Sequence, residues 1–276
     1  MIARRFLVGS SLCLCFVSTG AAQVVCVRSS PNGGPVRARS ACKPSETQLG
    51  SLAAFQVLLG ALSSEEGGAT LRLTGVNLQL VSGSGSTDGP INGRGNLVIG
   101  YNSDDLGDGT DVHSGSHNLV IGDDHSYTSY DGLVGGLDNE ISAPGATVLT
   151  GNQNTASSSF AAVTTGGANT ADSLYASVTG GYQNHAAGFF SAVTGGAGNT
   201  ASGVDSAVSG GISNVASNNE AAVCGGQQNE ASGFAATVSG GTLNAAAGDG
   251  AAVSGGNTRS APAADDWAAG ALFQDF

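Results

Sequence analysis

Ala192-Val193-Thr194-Gly195-Gly196-Ala197-Gly198-Asn199-Thr200-Ala201-Ser202-Gly203-Val204-Asp205-Ser206 is followed at once by Ala207-Val208-Ser209-Gly210-Gly211-Ile212-Ser213-Asn214-Val215-Ala216. The second stretch restates the first fifteen residues later, and the same wording runs from Leu133 onward without a slip. Val148, Val163, Val178, Val193, Val208, Val223, Val238 and Val253 share one position, with Leu133 opening the series. Three residues on stands an unbroken glycine column from Gly136 to Gly256. Six residues on stand Asn139, Asn154, Asn169, Asn184, Asn199, Asn214, Asn229 and Asn244. Two beyond each Asn is Ile141 or an alanine, from Ala156 to Ala246. A fixed period of this kind governs the reading of everything else in the chain.

Glycine pairs recurring in every unit exclude helix, since each Gly costs about 1 kcal/mol against Ala in a helix interior. The alternation small-Val-Thr/Ser suits a short strand with Ala and Val on one side and hydroxyls on the other. Gly-Gly is turn chemistry, and Asn tolerates the left-handed turn conformation. A second short strand follows each Asn, and a further turn closes the unit. Two strands and two turns make one coil of a parallel β-solenoid, with coils stacked about 4.8 Å apart. The expected fold is thus an all-β roll of 14–15-residue coils. One Val and a few Ala per coil make a thin core, which predicts that several rolls pack together. Phe160, Tyr175, Phe189, Phe190 and Phe234 occupy the variable position, where they seal such contacts or form a ligand surface.

The stacked Asn column has two readings: a structural ladder of amides bonded from coil to coil, or one row of a flat polar lattice facing a repetitive target such as ice or glycan. Asn96-Leu97-Val98-Ile99-Gly100 and Asn118-Leu119-Val120-Ile121-Gly122 share the grammar of the repeat. The roll therefore begins near residue 96, with an insertion between its first two coils, and extends to residue 258. Leu71-Leu73 and Val76-Val81 read as strands of a cap or neck over 67–95.

The N-terminal end carries an address. Arg4 and Arg5, the apolar stretch Phe6–Val17 and the small residues Ser18–Ala22 read as a secretory signal peptide over 1–22. The apolar run is shorter than the ~20 residues a membrane span needs. Of five cysteines, Cys26, Cys42 and Cys224 lie beyond that leader. Cys26 and Cys42 bracket Pro31-Asn32-Gly33-Gly34-Pro35, which reads as a hairpin over 23–44 closed by a disulfide. Cys224 stands where other coils have Thr or Ser. From Ser45 to Leu62 the spacing of Leu52, Phe55, Leu59 and Leu62 predicts a short coiled-coil helix over 45–66, opened by a Ser45/Gln48 capping box.

Asn118-Leu119-Val120-Ile121-Gly122-Asp123-Asp124-His125-Ser126 and the Val-Ser-Gly-Gly-x-x-Asn-x-Ala-Ser-Gly units after it resemble the head repeats of trimeric autotransporter adhesins of the YadA-like group. The likeness covers about residues 96–258, and the Asn118 motif is one residue shorter before its Gly than the family's. The resemblance implies a left-handed parallel β-roll, a homotrimer around a threefold axis, and a role in attachment to a matrix protein, glycan or cell surface. The family's C-terminal β-barrel anchor has no counterpart in the tail, so self-export through an outer membrane is not expected.

Chemistry is thinly represented. Glycine makes up 45 of 276 residues, and charged residues only 11 %. The net charge is −12, and removing Arg4 and Arg5 with the leader takes it to −14, which argues against a nucleic-acid partner. Asp104, Asp105, Asp108 and Asp111 give the insertion the oxygen density that calcium favours, without the spacing of an EF-hand. His113, His117 and His125 with Asp123 and Asp124 form a second possible metal cluster. No nucleophile constellation or phosphate-binding loop stands out, so neither catalysis nor a cofactor is expected. After Asn257 the wording stops, and 259–276, with Trp267 and Phe273, reads as a C-terminal cap or docking tail.

Overall fold

A computed structural model describes residues 69–103 and 111–270 and, before them, Ala61 and the strands named below. The chain divides into two compact units, Met1–Gln79 and Leu80–Phe276.

In the first unit, β1 (Leu7–Val8) pairs antiparallel with β2 (Ser11–Leu12). The rest of the expected leader lies outside the described residues. The strand β3 (Val24–Arg28) lies between β4 (Val36–Arg39) and β5 (Glu46–Ser51) in an antiparallel sheet. β3 and β4 form the expected hairpin, with Cys26 opposite Arg37, while Cys42 lies outside the described residues. The segment expected to open a helix is different. Glu46–Ser51 is a strand bonded along β3, because Thr47 and Gly50 disfavour helix and a neighbouring strand offers their backbone groups partners. Residues 52–60 lie outside the described residues, Ala61 is helical, and Leu62 opens a strand instead of closing a helical seam. That strand, β6 (Leu62–Glu65), pairs with β7 (Thr70–Leu73). Val76–Val81, expected as a strand, has no strand pairing; Gly75 at φ +72° turns the chain out of the extended path first.

The second unit is a parallel β-solenoid. Its first sheet starts with β8 (Leu97–Ile99), β9 (Leu119–Asp123), β11 (Leu133–Leu137) and β13 (Thr147–Val148). It grows by one dipeptide per coil to twelve strands, all parallel. Its second sheet starts with β10 (Ser126–Tyr127), β12 (Glu140–Ile141) and β14 (Thr155–Ala156) and reaches ten parallel strands. The register is the sequence period itself: Val163 lies beside Val148 and Val178, and Ala171 beside Ala156 and Ala186. Identical residues therefore stack, and each column meets one environment throughout.

The core sits between the two sheets and is filled by four inward positions per coil, three of small or aliphatic residues and one of Asn. The Val column from Val148 to Val253 is at most 1 % exposed. The alanines from Ala156 to Ala246 are fully buried, as is the small column Ala146, Ala161, Ala176, Ser191, Ser206. Thin as it is, this core closes within one chain.

The end of the roll departs from the expected cap. Ser260–Ala261 pairs with Ala245–Ala246, and Trp267–Ala268 pairs with Ala252–Val253. Residues 259–268 thus form one more coil, because Ser260-Ala261 keeps the polar-then-small alternation that the second sheet requires. Trp267 occupies an outward position, 70 % exposed, with its Nε1 donating to Ser254 Oγ at 2.8 Å. Pro262 falls where each earlier coil donates an N–H to the coil after it, as Ser157 does to Ala171. Among the described residues no coil follows, so its missing donor breaks no bond there. The tail from residue 271 lies outside the described residues.

Candidate functional site

The Asn column is buried, at most 2 % exposed from Asn139 to Asn244. From Asn154 on, each backbone N–H donates to the Oδ1 of the Asn one coil earlier, at 2.8 to 3.0 Å. Each Nδ2 donates to the carbonyl of the glycine twelve residues ahead, at 2.9 to 3.0 Å. Most also reach the glycine carbonyl four residues back. The residue thus links three coils, its backbone N–H bonding to the coil before and its side chain to its own coil and the next, and it adds partners to the carbonyls of the Gly-Gly turn. With both ends of the amide engaged inside, this column does not face a ligand.

The ladder continues past Asn139 through a residue of another type. His125 is fully buried, accepts the Asn139 N–H at Nδ1 (3.2 Å) and donates from Nε2 to Ile121 O (3.1 Å). Its own N–H donates to Asn102 Oδ1 at 3.1 Å. Only the neutral Nε2–H tautomer satisfies both ring contacts, and burial lowers the pKa below 6.5, against the opposing pull of Ile121 O, Asp111 and Asp123. A histidine that resists protonation when folded stabilises the protein fully above its unfolded pKa, about 6.5. That contribution is lost progressively as pH falls below 6.5 towards the folded value. Denaturation midpoints measured at about pH 7.5 and about pH 5.5 are expected to fall more in the wild type than in His125→Asn, which restores the ladder residue without the titration.

The three histidines do not converge. His113 stacks on Tyr127 with ring centroids 5.2 Å apart, and its Nε2 meets Asn102 Nδ2 at 2.7 Å. His117 accepts from the Ser82 N–H at 2.9 Å and meets Thr87 O at 3.2 Å. Of the calcium candidates, Asp104, Asp105 and Asp108 lie outside the described residues, and Asp111 accepts from Ser126 Oγ at 3.3 Å. Among the described residues no three His, Cys, Asp or Glu side chains are placed to hold a metal ion. A shallow depression of about 410 Å³ beside Asp111 is lined by Asp138 and Glu140 together with Ser126, Thr128 and Gln153.

The outer surface differs from side to side. The outward positions of the first sheet from Ala162 to Ser254 alternate half-buried Ala, Ser or Thr237 with exposed Thr164, Thr179, Thr194, Ser209, Cys224, Ser239 and Ser254, none of them charged. Cys224 is a free thiol on this face. The second sheet carries charge: His185 Nε2 meets Asp172 Oδ2 at 2.8 Å, and Glu230 is exposed.

The third surface is a ridge. At one corner of every coil a residue adopts the left-handed conformation, and in three successive coils it is Phe160 (φ 57°), Tyr175 (φ 58°) and Phe190 (φ 55°). Their rings stack, with centroids 5.3 Å and 4.9 Å apart and planes within 9° and 7°. Phe189 packs edge-on against Phe190 at 4.2 Å. All four remain 37–55 % exposed. Phe234, two coils beyond Val204, stands apart from this stack. Sequence reasoning placed the aromatics at one variable position. It missed that they stack, and it grouped His125 with metal ligands and missed its place on the ladder, whose signal was the 14-residue step from Leu119 to Leu133.

The fold and these surfaces define a parallel β-roll with a hydrogen-bonded amide spine. No protein-family model and no curated protein matches the chain.

Proposed function

We propose that this chain is an extracellular, non-catalytic attachment head, exported by residues 1–22 and working as a homotrimer. The observation that carries the reading is the division of the roll's outside into an uncharged sheet of small side chains and an aromatic ridge. Small, uncharged positions allow sheets to approach closely around an axis, while the charged sheet and the ridge stay outward. The likeness of residues 96–258 to YadA-like head repeats supports the same arrangement, with a matrix protein, glycan or cell surface as the ligand.

Thr194→Arg places a charge at the middle of the uncharged face and is expected to convert trimer to monomer in size-exclusion chromatography with light scattering. The circular-dichroism spectrum stays unchanged, because Thr194 points away from the core. A wild-type chain that runs as a folded monomer overturns the trimer. Attachment itself is tested by binding the intact assembly to arrays of matrix proteins and glycans. The regular hydroxyl column Thr164, Thr179, Thr194 and Ser209 favours a second reading, a repetitive-surface binder such as an ice-binding roll. That reading requires thermal hysteresis or inhibition of ice recrystallisation. Absence of binding in every assay leaves an architectural spacer.

A further inference from the structure

Phe160, Leu174, Tyr175, Phe189, Phe190 and Val204 lie side by side on one corner of the roll across four successive coils. This patch concentrates four of the chain's fifteen aromatic residues (one Trp, five Tyr and nine Phe). It is rigid, since the N–H of Phe160, Tyr175, Phe190 and Asp205 each donates to the coil before. Large side chains in the left-handed conformation are a local cost at positions where Gly and Asn fit better. Coils further along do carry Ala235 and Gly250 there. The ridge continues directly from Phe190 into Asp205 and Glu220, both exposed, at the same corner of the next two coils.

That order selects among occupants. The rings of Phe160, Tyr175 and Phe190 spend their faces on one another, so they offer edges and not the open faces that stack on sugar rings. A second copy meets like charge. In a parallel assembly Asp205 faces Asp205 and Glu220 faces Glu220. In an antiparallel pair centred on Tyr175, Glu220 of one copy, three coils along, faces Asp131 of the other, three coils back. Exposed contiguous apolar surface next to carboxylates fits a protein segment whose apolar side chains are followed by basic ones.

We infer that the Phe160–Phe190 ridge with Asp205 and Glu220 is the docking site for an apolar-then-basic peptide segment of a partner protein. It rests on the attachment reading and names its site and ligand class.

The test uses the full chain and short synthetic peptides in which a Phe/Leu-rich run is followed by two Arg, two Ser or two Glu. Fluorescence anisotropy is expected to rank them Arg, Ser, Glu, with about tenfold between the first two at low salt and less as salt rises. Asp205→Asn with Glu220→Gln removes that preference. Tyr175→Asn with Phe190→Asn weakens every peptide by about tenfold or more, while Asn accommodates the backbone and leaves the roll folded by circular dichroism. Equal binding of the Arg and Glu peptides, or no loss in the Tyr175/Phe190 variant, overturns the site. Ridge-dependent binding of phosphatidylcholine vesicles or of glycans without peptide binding overturns the ligand class. If the assembly attaches to matrix surfaces and the ridge variant attaches equally, the attachment reading stands and the site falls. If the ridge selects Arg peptides and the assembly attaches to nothing, the site stands and the attachment reading falls.

Discussion

Asn184→Ala lowers the stability of the roll by about 3–5 kcal/mol, a larger loss than most single substitutions produce. The side chain is fully buried and serves three residues on two coils, Gly180 on its own and Gly196 and Asn199 on the next. Its Oδ1 accepts the Asn199 N–H at 3.0 Å and Asn199 Nδ2 at 3.1 Å. Its Nδ2 donates to Gly180 O at 2.9 Å and Gly196 O at 3.0 Å. Alanine strands the buried Asn199 N–H and the Gly180 carbonyl, each costing about 1–3 kcal/mol when unpaired, and takes one of two bonds from Gly196 O, which keeps the Tyr182 N–H at 3.0 Å, with part recovered if water enters the space. Asp at the same position keeps the acceptor but loses both donors and buries a charge, so Asn184→Asp is expected to be no better. Urea denaturation read by circular dichroism checks both variants. The midpoint falls, and hydrogen exchange quickens first in the coils around residues 180–199, because each coil is held only by its neighbours.

Gly196→Ala is expected to cost about 3 kcal/mol or more, while Gly195→Ala, one residue away, is neutral or slightly stabilising. Gly196 has φ +86°, and a Cβ there would stand 2.1 Å from Gly211 O, a backbone atom of the next coil. The coil has to lift, which breaks the bonds that Gly211 O accepts from the Ala197 N–H at 2.9 Å and from Asn199 Nδ2 at 3.0 Å. Two such bonds at about 1 kcal/mol each, with about 1 kcal/mol for a left-handed alanine, set the scale. Around Gly195 nothing lies within 4 Å, and its backbone is outside the left-handed region. Alanine there only restricts the unfolded chain, worth up to about 1 kcal/mol in favour of the fold. The paired variants, compared by thermal denaturation, are decided by their difference. Equal effects at the two glycines would contradict the stacking geometry.

Much of the fold was legible in the repeat. Placing Ala161 and Val163 on one side of a strand follows from a two-residue alternation, and both are fully buried. The sites were less legible. The acids of the insertion suggested a metal because they are close in sequence, yet Asp111 alone lies in the described part and bonds to a serine. His113, His117 and His125 were grouped by proximity in sequence, whereas the fold gives each imidazole ring partners of its own. The helix expected over 45–66 rested on spacing within one segment, and the pairing of Glu46–Ser51 with a distant strand overrides such local preference.

A fifteen-residue period by itself determined that this chain builds parallel coils. When one residue type recurs at one interval, only in-register stacking gives every copy the same environment, so Val meets Val and Asn meets Asn. What tertiary structure decided is whatever depends on the neighbouring coil or on the sign of a backbone angle. It made Gly196 indispensable and Gly195 replaceable, put His125 on the Asn ladder, stacked Phe160 on Tyr175 and Phe190, and turned the tail at Ser260–Ala268 into a last coil. The physical reason is common to all four: these contacts join residues fourteen or fifteen positions apart, and no local spacing or propensity reports which atoms the next coil brings opposite.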